Sequence, residues 1–144
     1  MTRWICRLLC LVSRRYKLWA ICRVIGIRPH PWQREFALGS PINLPLGRRT
    51  GKTMAVMLRL LMAYPNEPFE AGRILRLDPD WMPNNLARVR FYNREYYVLS
   101  HACFQAGIPV VLTSRIYQSR NQDGCLEGCG RKKETATSWQ SSRR

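Results

Sequence analysis

The sequence predicts an α/β fold, in which parallel strands are joined by crossover helices. Three observations carry this expectation. Short apolar segments at residues 42–46, 73–78 and 109–113 have strand character, two longer apolar-periodic segments lie between them, and proline or glycine marks each junction. The expected organisation has three parts: a cationic amphipathic helix over residues 1–27, an α/β domain over 28–114, and a disordered basic tail over 115–144.

The bulk numbers set the limits. A chain of 144 residues with 46% hydrophobic content is enough for one ordinary domain. Its 24 Lys+Arg against 9 Asp+Glu give a formal charge of +15, a surface that attracts polyanions such as nucleic acid, nucleotide phosphates or anionic lipid. The first acid is Glu35, so the amino-terminal quarter is uniformly cationic. Three of the six cysteines (Cys6, Cys10, Cys22) lie in an apolar amino-terminal segment with no convincing secretory signal before them. Buried or free thiols and a cytoplasmic location are expected.

Taken in order, the first element is helical. At helical spacing Arg3, Arg7, Arg14 and Lys17 share one side, while Trp4, Leu8, Leu11, Val12, Tyr16 and Trp19 form a broad apolar arc, with an interruption near Ser13. Gly26 ends this helix and Pro29 and Pro31 prevent its continuation. The pattern suits a helix packed on the domain with its charges in solvent, and it also suits one resting on a membrane surface or a partner. A membrane span is not expected. The longest unbroken apolar run is residues 8–12, and Arg14, Arg15 and Lys17 follow it, whereas a span needs roughly 20 apolar residues.

A short helix follows Pro31 and stops at Gly39. Residues 42–46 read as a strand, limited by Pro45. Residues 52–64 are apolar on nearly every face and end at Pro65, so this helix is expected to be buried on most sides. The stretch RILRLD at 73–78 reads as a second strand, closed by Pro79. Asp80 and Pro83 favour a helix start, and a helix over 84–106 runs to Gly107 with Leu86, Val89, Tyr92, Tyr96, Leu99 and Cys103 on one packing face. PVVLT at 109–113 is the third strand. Beyond Ser114 polar residues dominate, Ile116, Tyr117, Leu126 and Trp139 stand isolated, and residues 118–144 are expected to be disordered.

The chemistry concentrates in Gly47-Arg48-Arg49-Thr50-Gly51-Lys52-Thr53, placed between an expected strand and an expected helix. That is the context a phosphate-gripping loop requires. Gly51 lets the backbone come close to an anion, successive amides can point inward as a nest, and the helix that follows adds its positive dipole end. Lys52 would reach the β- and γ-phosphates and Thr53 would place a hydroxyl on Mg²⁺. The same residues also fit a basic turn before a core helix. Leu46 stands where the usual pattern has its first glycine.

This loop, with His30-Pro31-Trp32-Gln33-Arg34 upstream, resembles the P-loop ATPases of the helicase and viral terminase type, including the large-terminase motors that package phage DNA. The resemblance covers about residues 28–113 and implies a partial P-loop NTPase core that binds ATP and Mg²⁺. It implies that Gln33 contacts the adenine edge, flanked by Trp32 or Arg34, and that Arg48 and Arg49 sense the γ-phosphate; the residues themselves equally fit Trp32 as a core anchor, Gln33 as a helix-capping or solvent residue, and the two arginines as solvated charges. The +15 charge by itself predicts contact with DNA; the resemblance adds a homo-oligomer or a partner ATPase chain and, for a phage-encoded chain, the host-cell cytoplasm.

Such an enzyme next needs a strand that ends in an acidic pair, to hold Mg²⁺ and to activate water. After Val111 the acids are Asp123, Glu127 and Glu134, none of them at the end of an apolar strand. Asp78 is the substitute magnesium ligand, with Asp80 nearby; its other reading is a turn and helix-start acid. The chain therefore resembles the first half of an ATPase domain, truncated before its Walker B acid, with nucleotide binding retained and hydrolysis impaired. The competing class is a non-enzymatic basic protein that binds nucleic acid or an anionic membrane surface through its Arg-rich first helix.

Overall fold

A computed structural model of the chain describes residues 3–47 and 49–117. Arg48 and residues 118–144, with the expected disordered tail, lie outside the described residues. The α/β expectation, and with it the partial P-loop NTPase core of parallel strands and crossover helices, is overturned: 57% of the described residues are helical and none of them forms a strand. The helices are α1 (Arg3–Val12), α2 (Arg14–Ile25), α3 (Pro31–Leu38), α4 (Lys52–Leu61), α5 (Ala71–Leu75) and α6 (Leu86–Gln105).

Helix α4 is the centre of the packing because it has almost no polar face. Ala55, Val56, Met57, Leu58, Leu60 and Leu61 are all buried, and α2, α3, α5 and α6 surround them. Its one mid-helix charge, Arg59, lies over the Phe36 ring at 4.8 Å and donates to the Phe36 carbonyl at 3.3 Å, which ties α4 to α3. From α6, Tyr92 and Tyr96 are fully buried against the same core.

The amino-terminal helix is interrupted at Ser13, whose hydroxyl accepts from the Tyr16 amide at 3.2 Å and caps α2. Gly26, at φ 77°, ends α2. The expected division of faces does not hold across that break. Lys17, placed on the charged side, is fully buried, whereas the apolar arc of α1 is exposed. The face of α1 turned to α2 carries Cys6 and Cys10 instead. Cys6, Cys10, Cys22 and Cys103 are free thiols, and burial pushes Cys10 and Cys103 up to about 12.

Each expected strand fails for a physical reason. Residues 42–46 run extended and bury Leu44, but Leu46 is 83% exposed and no second strand lies alongside to accept a ladder. Residues 73–78 fit either period by pattern, and the period realised is helical: Ala71, Leu75 and Asp78 are buried at spacings of four and three, while Arg76 and Leu77 face solvent. Residues 109–113 are held by side chains, since Tyr96 donates from its hydroxyl to the Val111 carbonyl at 2.7 Å. Just beyond, Asn93 accepts from the Ile116 and Tyr117 amides at 2.9 and 3.2 Å and donates to the Tyr117 carbonyl at 3.1 Å. Ile116 and Tyr117, isolated by composition, thus close onto α6, where Tyr117 meets Trp81 edge-on.

Candidate phosphate-binding turn

The turn at residues 47–53 leads into the amino terminus of α4, and its backbone is left-handed at three of its described positions. Gly47, Arg49 and Gly51 all have positive φ, at 108°, 60° and 79°. Arg49 is the one non-glycine residue with positive φ among the described residues. The amides of residues 51–54 have no backbone acceptor among the described residues. Four unpaired amides are inherent to a helix start, and together with the dipole they make an anion-attracting end.

Two side chains fix the turn. Gln33, buried in α3, accepts from the His30 amide at 2.8 Å and donates to the Gly51 carbonyl at 3.1 Å. A Cβ at Gly51 would lie 2.5 Å from Gln33 Nε2, so only glycine admits this close approach. Lys52, 5% exposed, bends back over the turn: its ammonium donates to the Gly47 carbonyl at 2.8 Å and pairs with Asp80 Oδ2 at 2.7 Å. The Thr50 hydroxyl is buried without a hydrogen-bond partner among the described residues.

A cavity of about 370 Å³ opens beside these groups, lined by Arg49, Thr50, Gly51, Lys52, Thr53 and Asp80 together with apolar side chains of α4 and α6 and the Glu95 carboxylate of α6. This falls within the roughly 300–1,000 Å³ range of small-molecule sites.

Several expected site residues play other parts. Gln33 acts as a brace between α3 and the turn. Asp78, 3% exposed, accepts from the Asp80 amide at 2.9 Å and from the Tyr92 hydroxyl. Burial, reinforced by Asp78, pushes the Tyr92 phenol well above its ordinary value. Asp78 therefore anchors the 78–81 turn and does not line the cavity, while Asp80 does. Among the described residues no group of three or more His, Cys, Asp or Glu side chains is arranged to hold a metal ion. Arg48 lies outside the described residues.

Asp80 as the partner of Lys52 had no signal in the sequence beyond its place next to an expected helix start. Only the folding of residues 76–81 against the α4 terminus brings the two together. Comparison of the chain with protein-family models, curated proteins and solved structures finds no match.

Proposed function

We propose that the chain binds a nucleotide, ATP with Mg²⁺, by gripping its phosphates at the 47–53 turn. The observation that carries this reading is the buried Lys52 ammonium, folded over the helix α4 terminus beside a cavity and paired with a carboxylate. Asp80 holds the position that an anionic phosphate oxygen would take, and its side chain, 47% exposed, has room to swing aside. The first-turn amides and Arg49 add further donors around the same cavity. Thr53 lies at the cavity wall, where its hydroxyl would reach the metal.

Turnover is slow in this reading, because Asp78 is committed to Tyr92 and the Asp80 amide. Contact with DNA follows from the +15 charge and should weaken steeply with salt as counterions are released.

The test is titration of a fluorescent ATP analogue with Mg²⁺ into the intact protein and into Lys52→Ala, with the fold checked by circular dichroism. Loss of the ammonium should weaken binding roughly tenfold or more. Equal affinity in both proteins overturns the reading.

A further inference from the structure

The exposed face of α1 is apolar where a surface helix is normally polar. Trp4 is 69% exposed and Val12 85%, and Ile5, Leu8, Leu9 and Leu11 are each more than a third exposed. These residues line the side of α1 opposite its contact with α2, and α1 touches no other helix among those described. Arg7 is exposed on α1 itself, Arg14, Arg15 and Arg23 are exposed on the adjoining α2, and no acid occurs before Glu35. We infer that α1 docks in the plane of an anionic lipid bilayer, with this apolar face among the acyl chains and the arginines at the headgroups.

Charge and shape together select that occupant. A second copy of the chain would cover the apolar face but would bring two clusters of arginines together without acids between them. A nucleic acid would neutralise the arginines but leave Trp4, Leu8 and Val12 in water. An anionic interface satisfies both halves at once, as amphipathic helices with basic flanks do. The helix lies on the surface: none of the helices among the described residues is long and apolar enough to cross a membrane.

A second feature points to the same ligand. Between α2 and α3 is a largely apolar groove of about 590 Å³, floored by Leu18 and Trp19 and rimmed by Arg15, Arg23, Arg28 and Arg34, with Glu35 the one acid among its lining residues. Among the described residues none of these four guanidinium groups pairs with a carboxylate. Four cations against the single acid Glu35 around an apolar trough leave a net positive rim that suits the phosphate and first acyl carbons of a lipid from that bilayer.

The experiment is vesicle flotation of the full chain with phosphatidylcholine alone and with phosphatidylcholine containing phosphatidylglycerol. The protein should float with the anionic vesicles and not with the neutral ones. Trp4→Glu combined with Val12→Glu should weaken that binding by at least roughly tenfold, since it places charge in the apolar contact; both side chains are exposed, so the fold should be kept. Arg15→Glu combined with Arg23→Glu should weaken it through the headgroup contacts. Lys52→Ala should leave it unchanged, which separates this inference from the nucleotide reading. Equal flotation with neutral vesicles, undiminished flotation of the Trp4/Val12 variant, or a dimer in sedimentation that this variant dissociates while vesicle binding is absent, would each overturn the inference. So would duplex DNA binding lost in the same variant with no flotation of the parent protein.

Discussion

The Lys17 ammonium lies 2.9 Å from the Ala63 carbonyl oxygen, a bond that joins α2 to the end of α4 across 46 residues of sequence. It also donates to the Met62 carbonyl at 3.1 Å and stands 3.7 Å above the Tyr64 ring. A cation at a helix carboxyl terminus satisfies its orphan carbonyls and opposes its negative dipole end. Burial nevertheless pushes the Lys17 pKa down from 10.5 to about 8, with the Arg14 charge adding to the effect and the Cys10 thiol opposing it.

The stability of the protein should therefore carry a Lys17 signature in alkali. Between pH 8 and 10.5 the unfolded chain holds a proton that the folded chain has released, so the Lys17 contribution becomes more favourable as pH rises through that window. Urea unfolding of the parent protein and of Lys17→Met, measured from pH 7 to 11, should give a stability difference that moves in favour of the parent by about 3 kcal/mol at most. A difference independent of pH would show that Lys17 is not buried as described.

Gly51 and Gln33 should be energetically coupled. Gly51→Ala places a Cβ against the Gln33 amide and forces a side chain onto a backbone at φ 79°, a cost of about 1–3 kcal/mol. Gln33→Ala leaves the His30 amide and the Gly51 carbonyl without their partner. In a double-mutant cycle, Gln33→Ala should cost less in the Gly51→Ala background than in the parent. Strict additivity would mean that the brace is not formed.

Asp80→Asn should strengthen nucleotide binding, since the amide keeps the shape of the side chain but no longer competes for Lys52 with a full charge. The same change should slightly reduce stability in the absence of nucleotide. If affinity falls with Asp80→Asn, the carboxylate belongs to the binding machinery and does not stand in for the ligand.

Asn93 should control the end of the described chain. Its amide group makes all three hydrogen bonds that hold residues 116–117 on α6, so Asn93→Ala should expose the Ile116 and Tyr117 amides to hydrogen exchange and the bond after Arg115 to trypsin. The helix itself should persist. Unchanged protection would assign the anchoring to the Trp81–Tyr117 contact instead.

Tyr92→Phe should destabilise the fold by about 1–3 kcal/mol, because it strips a donor from the buried Asp78 carboxylate. Thermal melting would show this, and Asp78→Asn should then cost less in the Tyr92→Phe background than in the parent. A neutral Tyr92→Phe would indicate that water replaces the hydroxyl.

Local signals in the chain were legible where one element decided its own form. Gly26, Gly39 and Gly107 mark helix ends at positive φ, the break at Ser13 is a cap, and the all-round apolar character of residues 52–62 makes α4 the core. The 47–53 turn could be found for the same reason, since its glycines and Lys52 act over a few residues. Strands could not be read in this way. A strand exists only when another supplies its hydrogen bonds, and the alternation in RILRLD or the apolar run of PVVLT carries no information about a neighbour.

What the sequence by itself determined is every described helix except α5, most of their ends and a cationic glycine turn ahead of a buried helix. Only the tertiary structure decided that Lys17 enters the core while Trp4 and Val12 face outward, that Gln33 braces Gly51, and that Asp80 reaches Lys52. The physical reason is one of range. Helix and cap energies are settled between residues three or four positions apart, but the burial of a charge depends on which carbonyls and carboxylates the rest of the chain brings within about 3 Å of it.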